Sequence, residues 1–380
     1  MRNSVIVFVA VLTALAAFAP AAAAGGGVAD VAQEEPTCEF PFEGEDATGE
    51  TVTVDEEPES VVALQPSDAQ VMHEIGAEEK LSGMPVGEYT AYLEADEELD
   101  ITEDDGVTPV TEEVIDRDPD VVLAANALEG DELIDQLRDA GLDVYVFPTE
   151  ESLDGVAENV RLTGEIVGEC DGAEDALEEF EERLETIEAT VEDEEHPLAY
   201  YEMGDGFTAG EGTFQDEIIT TAGVENLGAE AGIEGWAEIS DEVVVEEDPE
   251  WIIYGESWGD EPPVSEAVMG TTAYQDDQFV AVNDQYMSQP GPLVVEAIEE
   301  IVAEVHPEAY AEAADETEDD AADETDDADD EADADDADAD DAVDEPADDA
   351  AEDDDSIPGF GVPAVVAALI AVLAVLAHRR

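Results

Sequence analysis

One segment of this chain occurs twice, and the pair restricts the folds open to it more than any other feature. The first copy runs from Thr111 through Glu112, Pro119 and Asp120 to Val121-Val122-Leu123. The second runs from Asp241 through Glu242, Pro249 and Glu250 to Trp251-Ile252-Ile253. Each places a glutamate seven residues before a proline and follows it with an acid and an apolar run, 130 residues apart. Proline disfavours helical geometry in the residue before it, so each copy predicts a short helix that stops ahead of the proline. Consecutive apolar residues with β-branched members then predict a strand buried on both faces, the signature of a parallel sheet. The spacing is too long for a stacked solenoid repeat and suits one lobe of a protein built from two similar halves.

The alternation around each copy supports this. Val61 to Leu64, Leu81 to Met84 and Val144 to Phe147 are further strands. A helix follows Pro66-Ser67-Asp68, carrying Val71, Met72 and Ile75 at helical spacing and stopping at Gly76. Strands alternating with helices predict a parallel α/β sheet over residues 51–150. Residues 151–196 carry no strand pattern. Leu177, Phe180, Leu184, Ile187 and Val191 form an apolar stripe faced by glutamates, which predicts a helical connector. The alternation resumes over residues 197–310. The expected fold is α/β: two Rossmann-like lobes joined by a long connecting helix, with a cleft between them and small lobe movements.

The charge balance sets the working conditions. The 380 residues hold 109 acidic and 8 basic side chains, a formal charge of −101. Such a chain repels nucleic acid and anionic lipid. Self-repulsion destabilises its fold at low ionic strength, whereas at 1 M salt the Debye length shrinks to about 3 Å. The expectation is a halophile's protein. Between residues 38 and 310 there are five basic side chains: Lys80, Arg117, Arg138, Arg161 and Arg183.

The two ends read differently from the middle. Residues 1–24 have the charge, apolar run and small residues of a secretory signal, and residues 25–50 form a tether and the start of a hairpin. From 311 to 355, 27 of 45 residues are acidic and none is basic, so residues 311–356 are expected to be an extended linker. Residues 357–380 hold Pro358-Gly359-Phe360, an apolar run and a basic end. This segment resembles the archaeal C-terminal sorting signal that is cut and replaced by lipid; the alternative is a plain membrane anchor. Either places the folded part outside the cell on a stalk. Cys38 and Cys170 are not spaced as a metal motif. They either form one disulfide across the fold or are two separate buried thiols.

Several further stretches carry a family resemblance. Pro58 to Ser67, Glu112 to Leu123, Thr208 to Phe214 with Ala222 to Asn226, Gly235 to Pro249, and Gln289-Pro290-Gly291-Pro292 stand in the order of the cobalamin and iron-siderophore binding proteins of ABC importers. The chain is similar to that family over roughly residues 50–307. The resemblance implies a monomer that binds a small molecule, needs no cofactor, and docks on a permease and its ATPase. It implies that Glu112 and Glu242 meet permease arginines, for which charge-assisted hydrogen bonds are suited. Read by position alone, the same glutamates could simply complement helix dipoles.

The ligand is expected between the lobes, at strand ends. Candidate wall residues are Gln65, Pro66, Tyr89 and Tyr92 from the first lobe, with Phe207, Trp236, Trp258 and Tyr286 from the second. Gln289 stands where the family usually has an arginine, which argues against an anionic chelate. A large, nearly neutral ligand such as cobalamin, or a neutral hydroxamate siderophore, fits better; an iron chelate or haem is the alternative. His73, His196 and His306 do not cluster, so no metal site is expected, and His73 reads as a satisfied structural histidine. No Ser-His-Asp set or phosphate-binding glycine loop is recognised, and no enzyme activity is expected. A purely structural surface protein is the distant alternative.

Overall fold

A computed structural model describes residues 38–128 and 130–314. The leader, the tether up to residue 37, the acidic linker beyond residue 314 and the C-terminal segment lie outside the described residues. Residues 311–314, expected as the start of an extended linker, instead continue a helix that begins at residue 307. The chain opens with a hairpin of β1 (Phe42–Glu45) and β2 (Thr51–Val54). The first lobe then contains β3 (Val61–Ala63), α1 (Pro66–Glu74), β4 (Leu81–Gly83), α2 (Thr111–Arg117), β5 (Val121–Ala124), α3 (Glu132–Asp139) and β6 (Val144–Val146). Two helices follow, α4 (Leu153–Val167) and α5 (Cys170–Val191). The second lobe contains β7 (Leu198–Glu202), β8 (Phe207–Ala209), α6 (Phe214–Thr221), β9 (Glu225–Asn226), α7 (Leu227–Glu230), β10 (Trp236–Glu238), α8 (Asp241–Glu247) and β11 (Trp251–Gly255). It closes with α9 (Thr272–Gln275), β12 (Phe279–Val282), α10 (Asp284–Ser288) and α11 (Val294–Val305).

Each lobe is built on a four-stranded parallel sheet, in the order β4-β3-β5-β6 and β9-β7-β11-β12. Numbered within its own lobe, each sheet has the order 2-1-3-4. The two lobes are therefore copies in topology, and the repeated segment occupies the same place in both. α2 and α8 each end on a left-handed aspartate, Asp118 at φ 48° and Asp248 at φ 50°. A buried proline follows each, and the next residue hydrogen-bonds to the neighbouring strand: Asp120 N–H to Ser60 and Glu250 N–H to Leu198, both at 2.8 Å.

Side-chain alternation along the strands divides each lobe's core in two. Val61, Ala63, Val121 and Leu123 join Met72, Ile75 and Val160 on one face. Val62, Leu64, Val122 and Ala124 join Val114, Ile134 and Leu137 on the other. Both faces are covered, so the strands read as unbroken apolar runs. Each fully buried aliphatic side chain contributes about 1.5–3 kcal/mol relative to exposure.

The connector belongs to both cores. Ala173 and Leu177, near the start of α5, pack into the first lobe. Phe180, Ile187 and Val191, further along, pack into the second. Arg183 on the same helix is held by Glu296 at 2.8 Å and Glu299 at 2.9 Å on α11. At about 1.5 Å per residue, a helix of this length spans roughly 33 Å. Its first residue, Cys170, forms a disulfide with Cys38. Gly172 is required where α5 meets the end of α1: a Cβ there would lie 2.0 Å from the Ile75 carbonyl oxygen. Among the described residues no helix is long and apolar enough to cross a membrane.

Candidate functional site

In parallel sheets of this kind, loops diverge above the strand ends where the order reverses, leaving a crevice. In the first lobe that point lies between β3 and β5. A cleft of about 420 Å³ opens there, between the lobes. Gln65, Pro66 and Ser67 line it from the end of β3, and Ala125, Asn126 and Ala127 from the end of β5. Thr149 and Glu150 follow β6, while Tyr89 and Val107 come from loops beyond β4. The second lobe supplies Phe214 and Gln215 from the start of α6, Trp236 from β10, and Ser288, Gln289 and Pro290 from the end of α10.

The floor on the first-lobe side is fixed by Asp68. Its carboxylate accepts the Gln65 and Ala125 backbone N–H groups, both at 3.0 Å, and so ties the ends of β3 and β5 together. Burial outweighs these bonds and pushes its pKa up to about 7, with the Glu150 charge adding to the rise. Folded Asp68 therefore holds its proton more tightly than unfolded Asp68. Its contribution to stability is full below the ordinary value of 3.8 and is lost as pH rises through about 7. Asp68→Asn keeps an acceptor for both N–H groups and removes the titration. Melting followed from pH 4 to 8 is expected to show the wild type losing stability over that range and the variant losing distinctly less. An unchanged slope would contradict the assignment.

Tyr92 and Tyr286 do not line the cleft. They form a contact between the lobes, with ring centroids 6.2 Å apart and edge to face. Around them runs a hydrogen-bonded clasp. Gln70 Nε2 donates to the Tyr92 hydroxyl at 2.9 Å, and that hydroxyl donates to Gln289 Oε1 at 2.8 Å. Gln289 Nε2 in turn donates to the Tyr89 carbonyl at 2.8 Å. Gln289 thus joins the lobes and lines the cleft. Burial raises the Tyr92 pKa to about 12, so its phenol stays protonated.

Four of the eight wall residues expected from sequence lie in the cleft: Gln65, Pro66, Tyr89 and Trp236. Tyr89 is 41% and Trp236 46% exposed, leaving both rings able to cover a ligand. The Trp236 indole N–H donates to Gln215 at 3.2 Å, which sets its direction. Phe207 and Trp258 stand apart from the lining. Phe207, itself exposed, opens β8 opposite Glu238 of β10. Trp258 lies against Gly204 beyond the end of β11. Sequence reasoning overlooked Asn126, Thr149, Glu150 and Gln215. The positions just after β5 and β6 were the available signal, but polar side chains in so acidic a chain do not stand out.

Glu112 and Glu242 are not cleft residues. Both are exposed, and each is the second residue of its helix, α2 and α8. Each helix leads directly into the next parallel strand, so it starts at the carboxyl edge of its sheet. The two glutamates therefore take equivalent places on the two lobes, at the sheet edges that face the cleft. Among the described residues no group of His, Cys, Asp or Glu is arranged to hold a metal ion. The His73 Nε2 is buried without a hydrogen-bond partner, contrary to the expectation of a satisfied histidine, and burial lowers its pKa.

Comparison with known proteins agrees with this architecture. A cobalamin-binding protein of Halobacterium salinarum is 34% identical over 276 residues, covering 70% of this chain and 74% of that protein. An uncharacterized ABC transporter substrate-binding lipoprotein of Bacillus subtilis, YvrC, is 25% identical over 273 residues, covering 69% of this chain and 84% of its own. The crystal structure of the heme-binding protein HmuT has the same fold, with a TM-score of 0.59 at 21% identity, over 70% of this chain and 90% of that one. Residues 61–288 match the family described as periplasmic binding protein, well over half of the sequence. With two like lobes, a shared connector and a cleft between them, the chain belongs to the periplasmic binding protein family, whose members bind solutes.

Proposed function

We propose that this protein captures a corrinoid, cobalamin or a near relative, outside the cell and presents it to an ABC importer. The observation that carries this reading is the interlobe cleft, walled by Tyr89 and Trp236 and lined by amide, hydroxyl and apolar side chains and one carboxyl, Glu150, without a lysine, arginine or histidine. A bulky ligand rich in amides is matched by aromatic faces and neutral hydrogen-bonding groups. The likeness to the Halobacterium salinarum protein supports the same ligand. No chemistry on the ligand is required. In this reading Glu112 and Glu242 engage the permease, and the C-terminal segment holds the protein at the outer face of the membrane.

A thermal-shift screen in multimolar NaCl tests the ligand. Cyanocobalamin at about a hundred times its Kd is expected to add about 2.7 kcal/mol to stability. Haem, ferric hydroxamates and ferric catecholates are expected to add less. Stabilisation by free zinc or manganese alone would sink the proposal.

A further inference from the structure

Glu150 is the one carboxyl-bearing side chain that lines the cleft. It lies just past the end of β6, on the first-lobe wall. Its carboxylate accepts a hydrogen bond from the Asn159 amide on α4 and lies close enough to Asp68 to raise that group's pKa. Among the described residues no cation forms an ion pair with it. Among the described residues Lys80 is held by Glu57 and Glu169, Arg138 by Asp46, Arg161 by Glu158, and Arg183 by Glu296 and Glu299. Arg117 donates to the Asp100 carbonyl at 2.9 Å.

Two helix starts face the same cleft, α1 and α6, and free helix N-termini would favour an anion. Each carries its own carboxylate in the first turn instead. Asp68 takes the N–H of Gln65 ahead of α1, and Asp216 lies in the first turn of α6. An anionic ligand group near this wall would meet Glu150 and find no countercharge.

We infer that Glu150 determines specificity: it selects ligands that present a hydrogen-bond donor, a primary amide or a cation, to the first-lobe wall, and it rejects those that present a carboxylate there. This rests on the solute-binding role proposed above and adds a charge rule to it. Like charges brought together across an interface disfavour binding. Glu150 is partly buried, so salt screens it less than a surface group. Burial also holds its carboxyl above the usual range, a cost that a donated hydrogen bond relieves.

The test compares cyanocobalamin with its separable monocarboxylic acids, in each of which one side-chain amide has become a carboxylate. Titrations are run in 2 M NaCl, roughly the screened regime, on wild type, Glu150→Gln and Glu150→Ala. At least one monocarboxylic acid is expected to bind the wild type on the order of tenfold more weakly than cyanocobalamin, and both variants are expected to remove most of that difference. If all the acids bind the wild type as well as cyanocobalamin does, or if the loss persists in both variants, the inference is overturned while the corrinoid reading stands. A cationic ferric hydroxamate, ferrioxamine B, separates the two claims. Should it bind in place of cyanocobalamin, and more weakly in Glu150→Gln, the corrinoid reading fails and the charge rule holds.

Discussion

Uptake of labelled cobalamin is expected to fall to background when Glu112 and Glu242 are both changed to glutamine, while ligand affinity stays within about twofold of wild type. Removing one partner of a desolvated ion pair at an interface costs about 2–5 kcal/mol, or roughly thirtyfold or more in docking affinity per site. The two glutamates stand on separate lobes at equivalent turns, so each single variant should be impaired and the double variant should be inactive. Neither contributes to the cleft or its floor, which is why affinity should not change. Loss of a first-turn carboxylate costs the short helices α2 and α8 about 0.3–1 kcal/mol each, a small shift in melting temperature. Affinity falling in step with uptake would place these residues in the ligand site or the fold instead.

The second large effect concerns the disulfide. Cys38 and Cys170 are separated by 132 residues, so the bond closes nearly the whole first lobe and α4 into one loop. By chain entropy, closing a loop of that length removes about 5 kcal/mol of freedom from the unfolded state. Replacing both cysteines by serine is expected to destabilise the protein by about 2–5 kcal/mol, read as a lower denaturant midpoint in molar salt. Cys170 begins α5, whose first half packs in one lobe and second half in the other. Loosening its start should therefore weaken the connector as well as the hairpin end of the chain. A midpoint unchanged from wild type would show that the bond contributes nothing to stability.

The lobes were legible in the sequence because their signal is local and periodic. Val61 to Ala63 and Val121 to Ala124 had to be apolar throughout, since helices cover both faces of the sheet. Asp118 and Asp248 recur because both helices must turn sharply into a strand. The site was less legible, because its contacts join residues far apart in the chain. Tyr92 meets Gln289 across 197 positions, and no local pattern marks such a pair. Tyr92 and Tyr286 therefore read as wall residues when they hold the lobes together. Phe207 and Trp258 were chosen for their rings, yet β8 and the turn after β11 carry them away from the lining. Glu150 carried no signal among so many acids. Its place after β6 and the absence of a basic partner distinguish it.

Tyr89 and Trp236 are expected to cover a corrinoid held in the cleft. Calorimetric titration of cyanocobalamin into wild type, Tyr89→Ala and Trp236→Ala in multimolar NaCl tests it most directly. The expected result is saturable one-to-one binding by wild type, weakened by each variant on the order of tenfold or more, as loss of an aromatic anchor does. Equal binding by all three proteins, or no heat with cyanocobalamin alongside binding of free zinc or manganese, would contradict it.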